Sequence, residues 1–389
     1  MTIIIFIIIL GIIVLAHEFG HFITARKSGM KVYEFGIGFP PRAIGVYRDP
    51  KTKKFVWVFG KGKTKLKQAV AGEEIEEQEF PATLYSLNWL PIGGFCKIKG
   101  ENGEKAVEPD SFGYQKAWKK VIVLSAGVIM NVILAGIVLG IGFIIGLPTD
   151  MSQGVDKRAI VITPAEVMIQ SVEKNTPAET AGIQYGDVVI SINDEFIVNT
   201  AQMQEIIKNN GDKEIKLVVR RNGEELSLQI TPSLIKEETT PRLGVMLADA
   251  GVIRYPWYIA LAKGFIAAGI VFVNIMITFY ILIKGLIVGQ GLMFELAGPV
   301  GIATIVGQGA KLGINYLLNI TAMISLSLAV INILPFPALD GGRILFILIG
   351  GIIRRPVPLK YEQIAHTLGF LLLMVLFIFI TARDVINLF

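Results

Sequence analysis

"IIIFIIILGIIVLAHEFGHFITARK", residues 3–27, sets two histidines and a glutamate inside one of the most apolar runs of the chain. Its uninterrupted apolar part, residues 3–16, makes about 21 Å of helix at ~1.5 Å per residue, while a hydrocarbon core is about 30 Å thick. The helix needs HEFGH and Phe22-Ile23 to finish the span, so His17, Glu18 and His21 are expected inside the membrane, nearer the Arg26-Lys27 end. Ionisable groups at that depth cost about 2.5–3.5 kcal/mol each on insertion scales and mark functional sites. No basic segment precedes the run and no small-residue cleavage pattern closes it before His17. It therefore reads as a retained helix rather than a signal peptide.

The rest of the chain repeats this alternation. Of 389 residues, 52% are hydrophobic, and they fall in blocks separated by polar segments. That distribution predicts a polytopic α-helical membrane protein carrying soluble insertions. A net charge of +5 without a basic–aromatic patch gives no case for nucleic acid. Cys96 is the only cysteine, which excludes an internal disulfide and a Cys-rich zinc site.

About four transmembrane helices are predicted. The first span covers 1–25. Residues 26–117 are polar, with a basic stretch (Arg48 to Lys67) and an acidic one (Glu73 to Glu79), and the positive-inside tendency makes them cytoplasmic. Within them "GGFCKIKGE" reads as a strand and "GIGFPP" as an irregular turn, giving a membrane-associated β region. The second span, 118–148, holds one strongly polar interior residue, Asn131. Residues 152–250 are a soluble α+β insertion on the outer side. In 251–312, Lys263, Asn274, Thr278 and Lys284 break the apolar block 255–289, the pattern of an amphipathic or re-entrant segment. The third span, 316–351, must be interrupted at Pro335, Pro337 and Gly341-Gly342. A basic cytoplasmic loop, 352–363, leads to the fourth span, 364–389.

The chemistry lies in the first and third spans. On a helix His17 and His21 sit one turn apart on one face and can bind one Zn²⁺, with Glu18 placed to serve as general base toward a water. Zinc needs a third protein ligand. His366, the only other histidine, opens the fourth span and reads as an interfacial polar residue. Asp340 is the stronger candidate, because it lies in an apolar block beside a Pro- and Gly-broken helix. Irregular backbone at membrane depth is tolerated mainly where it lines a cavity. Depth matching between His17 and Asp340 requires that 255–289 not cross the membrane once.

Several motifs carry a family resemblance. The insertion "VMIQSVEKNTPAETAGIQYGDVVISINDEFI", with its following helix and a hairpin through Arg221-Asn222-Gly223, resembles a circularly permuted bacterial PDZ domain. HEFGH, "NILPFPALDGG" and this domain together resemble the site-2 protease family of intramembrane zinc metalloproteases, in its bacterial PDZ-containing branch. "EFGIGFPP", "LPIGGFCKIKGE" and "AGPVGIA" (297–303) extend the likeness. Val128 departs from it, standing where many members have Gly-Pro.

The resemblance implies a protease that cuts transmembrane segments of already trimmed membrane proteins, such as anti-sigma factors and signal-peptide remnants, in a bacterial plasma membrane. One zinc ion would be held by His17, His21 and Asp340, with Glu18 as base. Asn332 would hold the substrate backbone or the developing oxyanion. Single-span membrane proteins, the bilayer and a peptide C-terminus for the PDZ domain are the partners it implies. The competing reading is a catalytically silent PDZ scaffold, which leaves these ionisable residues without a task.

Overall fold

The computed structural model describes residues 2–60, 66–70, 73–77, 80–103, 105–152, 154–173, 175–221, 223–234, 240–289 and 298–386. Lys61, Lys63, Lys65, Glu79, Asn222 and Ala297 lie outside these residues. Two compact units are present, one made of 1–136, 266–307 and 321–389, the other of 137–265 and 308–320.

In the order of the chain, α1 (Thr2–Lys27) leads into β1 (Val32–Arg48), β2 (Phe55–Phe59), β3 (Leu66–Val70), β4 (Glu73–Glu77) and β5 (Leu84–Ile98). Next come α2 (Ala117–Ile145), β6 (Leu147–Asp150), β7 (Ile160–Val172), α3 (Pro177–Thr180), β8 (Val188–Ile192) and β9 (Glu195–Phe196). They are followed by α4 (Thr200–Asn209), β10 (Ile215–Arg221), β11 (Glu224–Ile230) and β12 (Val245–Arg254). The chain closes with α5 (Trp257–Val288), α6 (Pro299–Leu312), α7 (Ile314–Ile333), α8 (Asp340–Ile353) and α9 (Leu359–Ile386). Among the described residues, α1, α2, α5, α7 and α9 are long and apolar enough to cross a membrane. Uniformly apolar helices with exposed Ile, Leu and Phe on several faces need lipid around them, because water would not tolerate that surface.

In the first unit α1 and α2 run antiparallel and very close. A Cβ on Gly20 would lie 2.4 Å from the Ala126 carbonyl oxygen, so only glycine permits the crossing. The β region forms a sheet in the order β2-β1-β5. As expected, "GIGFPP" turns the chain within β1: Ile37 and Ile44 both pair with Leu87 of β5, so the two halves of β1 run in opposite directions on either side of it. Gly38, at φ +76°, lies in this reversal. Phe55, Trp57 and Phe59 alternate along β2, as Tyr85, Leu87 and Trp89 do along β5, and all six are exposed. Period-two alternation places each set on one face of its strand, an aromatic surface fit to sit on a membrane. Lys99, itself buried, ties the end of β5 to Glu108 and Asp110 in the approach to α2.

The predicted break in the third span occurs between Ile333 and Asp340. Residues 334–339 fold back over the start of α8. Cβ atoms on Gly341 and Gly342 would lie 2.2 Å from the carbonyl oxygens of Leu334 and Phe336, so both positions require glycine.

The second unit holds the α+β insertion. Its sheet runs β11-β10-β8-β7-β12-β6, with β9 paired to β8. Val167, Ile169, Val189, Leu217 and Val219 from the strands pack with Met203 and Ile207 of α4 into one core. Asn199 caps α4 by accepting the Gln202 N–H. Asp187, fully buried, receives two hydrogen bonds of 2.7 Å from Arg221. This strand–helix order is the one expected of a PDZ-like insertion, and the sheet reaches from Leu147 in β6 to Arg254 in β12.

Candidate active site

His17 and His21 lie on the face of α1 that packs against α2, as their i, i+4 spacing requires, and both are buried. The break before α8 brings Asp340 to them across 323 residues of sequence. His17 Nε2 and His21 Nε2 stand 3.1 and 3.3 Å from Asp340 Oδ2, and 3.1 Å from each other. Ligands on a tetrahedral zinc at about 2.0–2.1 Å are separated by about 3.3 Å, so this triangle matches one face of such a site. Three lone-pair-bearing atoms at this separation repel unless a cation or shared protons lie among them. Asp340 is the first residue of α8, where the helix dipole favours a carboxylate.

The imidazoles are aimed by α2. His21 Nδ1 donates to the Val123 carbonyl at 2.8 Å, leaving Nε2 free to ligate. Asn131, with no exposed surface, faces His17 Nδ1 at 3.5 Å, and its amide oxygen is otherwise orphaned. With the amide turned so that its oxygen faces the ring, it accepts the Nδ1–H and leaves the His17 Nε2 lone pair open to a cation. The buried orphan and the converging nitrogens fit a zinc ion.

Glu18 does not join the triangle. It lines a cavity of about 370 Å³ together with His17, His21, Asp340, Asn332, Cys96 and Glu101. All four residues expected to act with the metal or substrate besides the base, His17, His21, Asp340 and Asn332, thus border the same space as Glu18. His366 is elsewhere: its Nδ1 accepts the Ala338 N–H at 2.7 Å. Ala338 has φ +79°, a left-handed conformation costly for a residue with a Cβ. His366 therefore secures the strained turn two residues before Asp340. The sequence reading gave it no such task.

Gly127 was also not anticipated. A Cβ there would lie 2.5 Å from His17 Cε1 and 2.6 Å from His21 Nε2. A glycine beside a departure from the family pattern (Val128) was the available signal. On the other wall, a Cβ on Gly94 of β5 would come 3.9 Å from Glu18 Cγ, so the β region passes alongside Glu18.

With this geometry established, comparison with known proteins is decisive. The family model of peptidase family M50 matches residues 5–67 and 55–376. The chain belongs to peptidase family M50. A Clostridium perfringens protein named for zinc metalloprotease activity is 32% identical over 376 residues, covering 96% of this chain and 95% of its own length. The regulator of sigma-W protease RasP of Bacillus subtilis is 28% identical, covering 100% of this chain and 99% of its own. Among solved structures, the PDZ domain of a Listeria monocytogenes SdrC-like protein is 20% identical with a TM-score of 0.21, over 23% of this chain and 95% of that one. This M50 peptidase is a multi-pass, membrane-embedded zinc metalloprotease with an inserted α+β domain.

Proposed function

We propose that His17, His21 and Asp340 hold a single zinc ion and that Glu18 is the general base of intramembrane peptide-bond hydrolysis. The convergence of three ligand atoms within one zinc-sized triangle, beside a glutamate in a shared cavity, carries the reading. Zinc held there supplies Lewis acidity, polarising the scissile carbonyl and acidifying a water. Glu18 takes the proton of the attacking water and returns it to the leaving amide nitrogen as the C–N bond breaks. Asn332 holds the substrate backbone or the developing oxyanion through its carboxamide.

A substrate helix keeps its amides hydrogen-bonded internally, so it must unwind before attack. The bent strands β1 and β5 offer a backbone edge beside Glu18 on which an unwound segment regains its hydrogen bonds. The substrates are single-span membrane proteins already trimmed by another protease. The name of the Bacillus relative supports anti-sigma factors among them, and signal-peptide remnants share the same chemistry. We place the enzyme in a bacterial plasma membrane with residues 152–250 outside, where the PDZ domain excludes bulky ectodomains or binds exposed C-termini.

Parity supports the membrane path. α1 and α2 are antiparallel, so α2 leads back to the Thr2 end. A Cβ on Gly307 of α6 would lie 2.4 Å from Thr2, so α7 also starts from that end. No net crossing separates α2 from α7. This favours a surface or re-entrant path for residues 255–289, although α5 is long enough to span.

Zinc analysis and cleavage of a single-span model substrate test the proposal together. Glu18→Gln is expected to keep zinc and lose about 10²–10⁴-fold in cleavage rate. Asp340→Ala is expected to lose zinc. Undiminished cleavage by Glu18→Gln would leave only the scaffold reading, and stoichiometric zinc in Asp340→Ala would remove the aspartate from the ligand set.

A further inference from the structure

We propose that this protein binds an anionic phospholipid at a second cavity, formed in the first unit where α2 begins, α8 ends and α9 begins. α8 ends at Arg354, whose φ of +57° forms a left-handed cap, and Pro356 prevents the helix from resuming. This turn projects two consecutive arginines, Arg354 and Arg355, into the rim of a cavity of about 420 Å³. Lys120 of α2 and Arg343 of α8 line it as well. Two carboxylates face these four cations. Glu101 is paired with Arg343, and Glu362 stands on α9. The balance is cationic, and the exposed Arg354 and Arg355 are placed to meet an anion.

A second space completes the profile. An apolar groove of about 580 Å³ is walled by Trp118, Ile122, Leu348 and Ile352 and shares Ala117, Ile347 and Gly351 with the cationic cavity. Trp118 and Tyr361 are exposed nearby, the residue types that settle at headgroup depth. A cationic chamber continuous with an apolar groove matches a phosphate headgroup and its acyl chain. A free anion would use only the chamber. The site is separate from the metal cavity, although Glu101 borders both.

Native mass spectrometry of the full chain, exposed in detergent to phosphatidylglycerol, phosphatidylcholine or inorganic phosphate, tests the assignment. Phosphatidylglycerol should be retained over phosphatidylcholine. In Arg354→Gln/Arg355→Gln retention should weaken about thirtyfold, the effect of removing two cations at a membrane surface. Gly351→Leu is the second variant. A Cβ at Gly351 meets nothing within 4 Å, so the helix tolerates the substitution while the side chain fills the junction of the two spaces. It should lose phosphatidylglycerol with zinc content unchanged. Equal retention of the two lipids, retention unaltered by both variants, displacement of lipid by inorganic phosphate, or capture of a single-span substrate there instead of lipid would each overturn it.

Discussion

Gly127 and His17 are in direct apposition: a Cβ built on the glycine would lie 2.5 Å from Cε1 of the imidazole. No rotamer adjustment relieves such an overlap without moving the ring, since His17 is hemmed in by His21, Asn131 and Asp340. Gly127→Ala is therefore expected to lower zinc affinity about 10–100-fold, the usual effect of disturbing the groups that orient metal ligands. Competition with a chelator measures it, and unchanged affinity would mean that α1 and α2 can separate at little cost.

Removal of the metal should abolish cleavage reversibly. Because the three proposed ligands, His17, His21 and Asp340, come from α1 and from the start of α8, their repulsion without a cation should also loosen residues 334–340. Hydrogen exchange of this segment is expected to rise on chelation and to fall again when zinc is restored. Exchange that ignores zinc would place the metal elsewhere.

His366→Leu should leave the Ala338 N–H without its acceptor. An unsatisfied donor costs about 1–3 kcal/mol when buried; this one is half-buried, so the low end applies, and the cost falls on the turn that presents Asp340. Cleavage is expected to drop with a weaker hold on zinc. The same loss of stability with cleavage and zinc affinity intact would confine His366 to a purely structural part.

In the PDZ domain, Asp187→Asn should destabilise the fold by about 3 kcal/mol. This is the low end for breaking a buried ion pair, because Arg221 is 21% exposed at its side chain while Asp187 is at 0%. Thermal unfolding of the full chain reads the effect, and a change below the noise would mean that water replaces the carboxylate.

The Lys99 cluster gives a pH dependence for the β region. Burial alone would lower the Lys99 ammonium, but hydrogen bonds to Asp110 and Glu108 outweigh it and hold it above its ordinary range. The Lys99 hydrogen bond depresses the Asp110 carboxyl. The Asp110 contribution is complete above the ordinary carboxylate range and is lost as pH falls through its lowered pKa. The Lys99 contribution is complete below the ordinary lysine range and is lost as pH rises through its raised pKa. Protection of residues 98–112 in hydrogen exchange should therefore be flat around neutrality and decline at both extremes. Partial exposure of Asp110 keeps the acid limb shallow.

Much of this protein was determined by local sequence. The i, i+4 histidines, the glutamate between them, the short apolar run that must include them and the prolines and glycines around Asp340 all act within a few residues. Helical period, insertion cost and backbone restriction read directly from such patterns. The same holds for the PDZ strands and α4, whose alternating and amphipathic patterns arise from one core.

The tertiary structure alone decided the remainder. Gly127 matters because α2 crosses α1 there, the Val123 carbonyl because it accepts from His21, and His366 because α9 packs over the turn at Ala338. "GIGFPP" reads as a turn, but only the fold places β5 between its two arms, with Leu87 paired to both Ile37 and Ile44. Each of these depends on residues far apart in sequence meeting at one point, and a periodic pattern carries the face a residue occupies but not the atom that waits for it there.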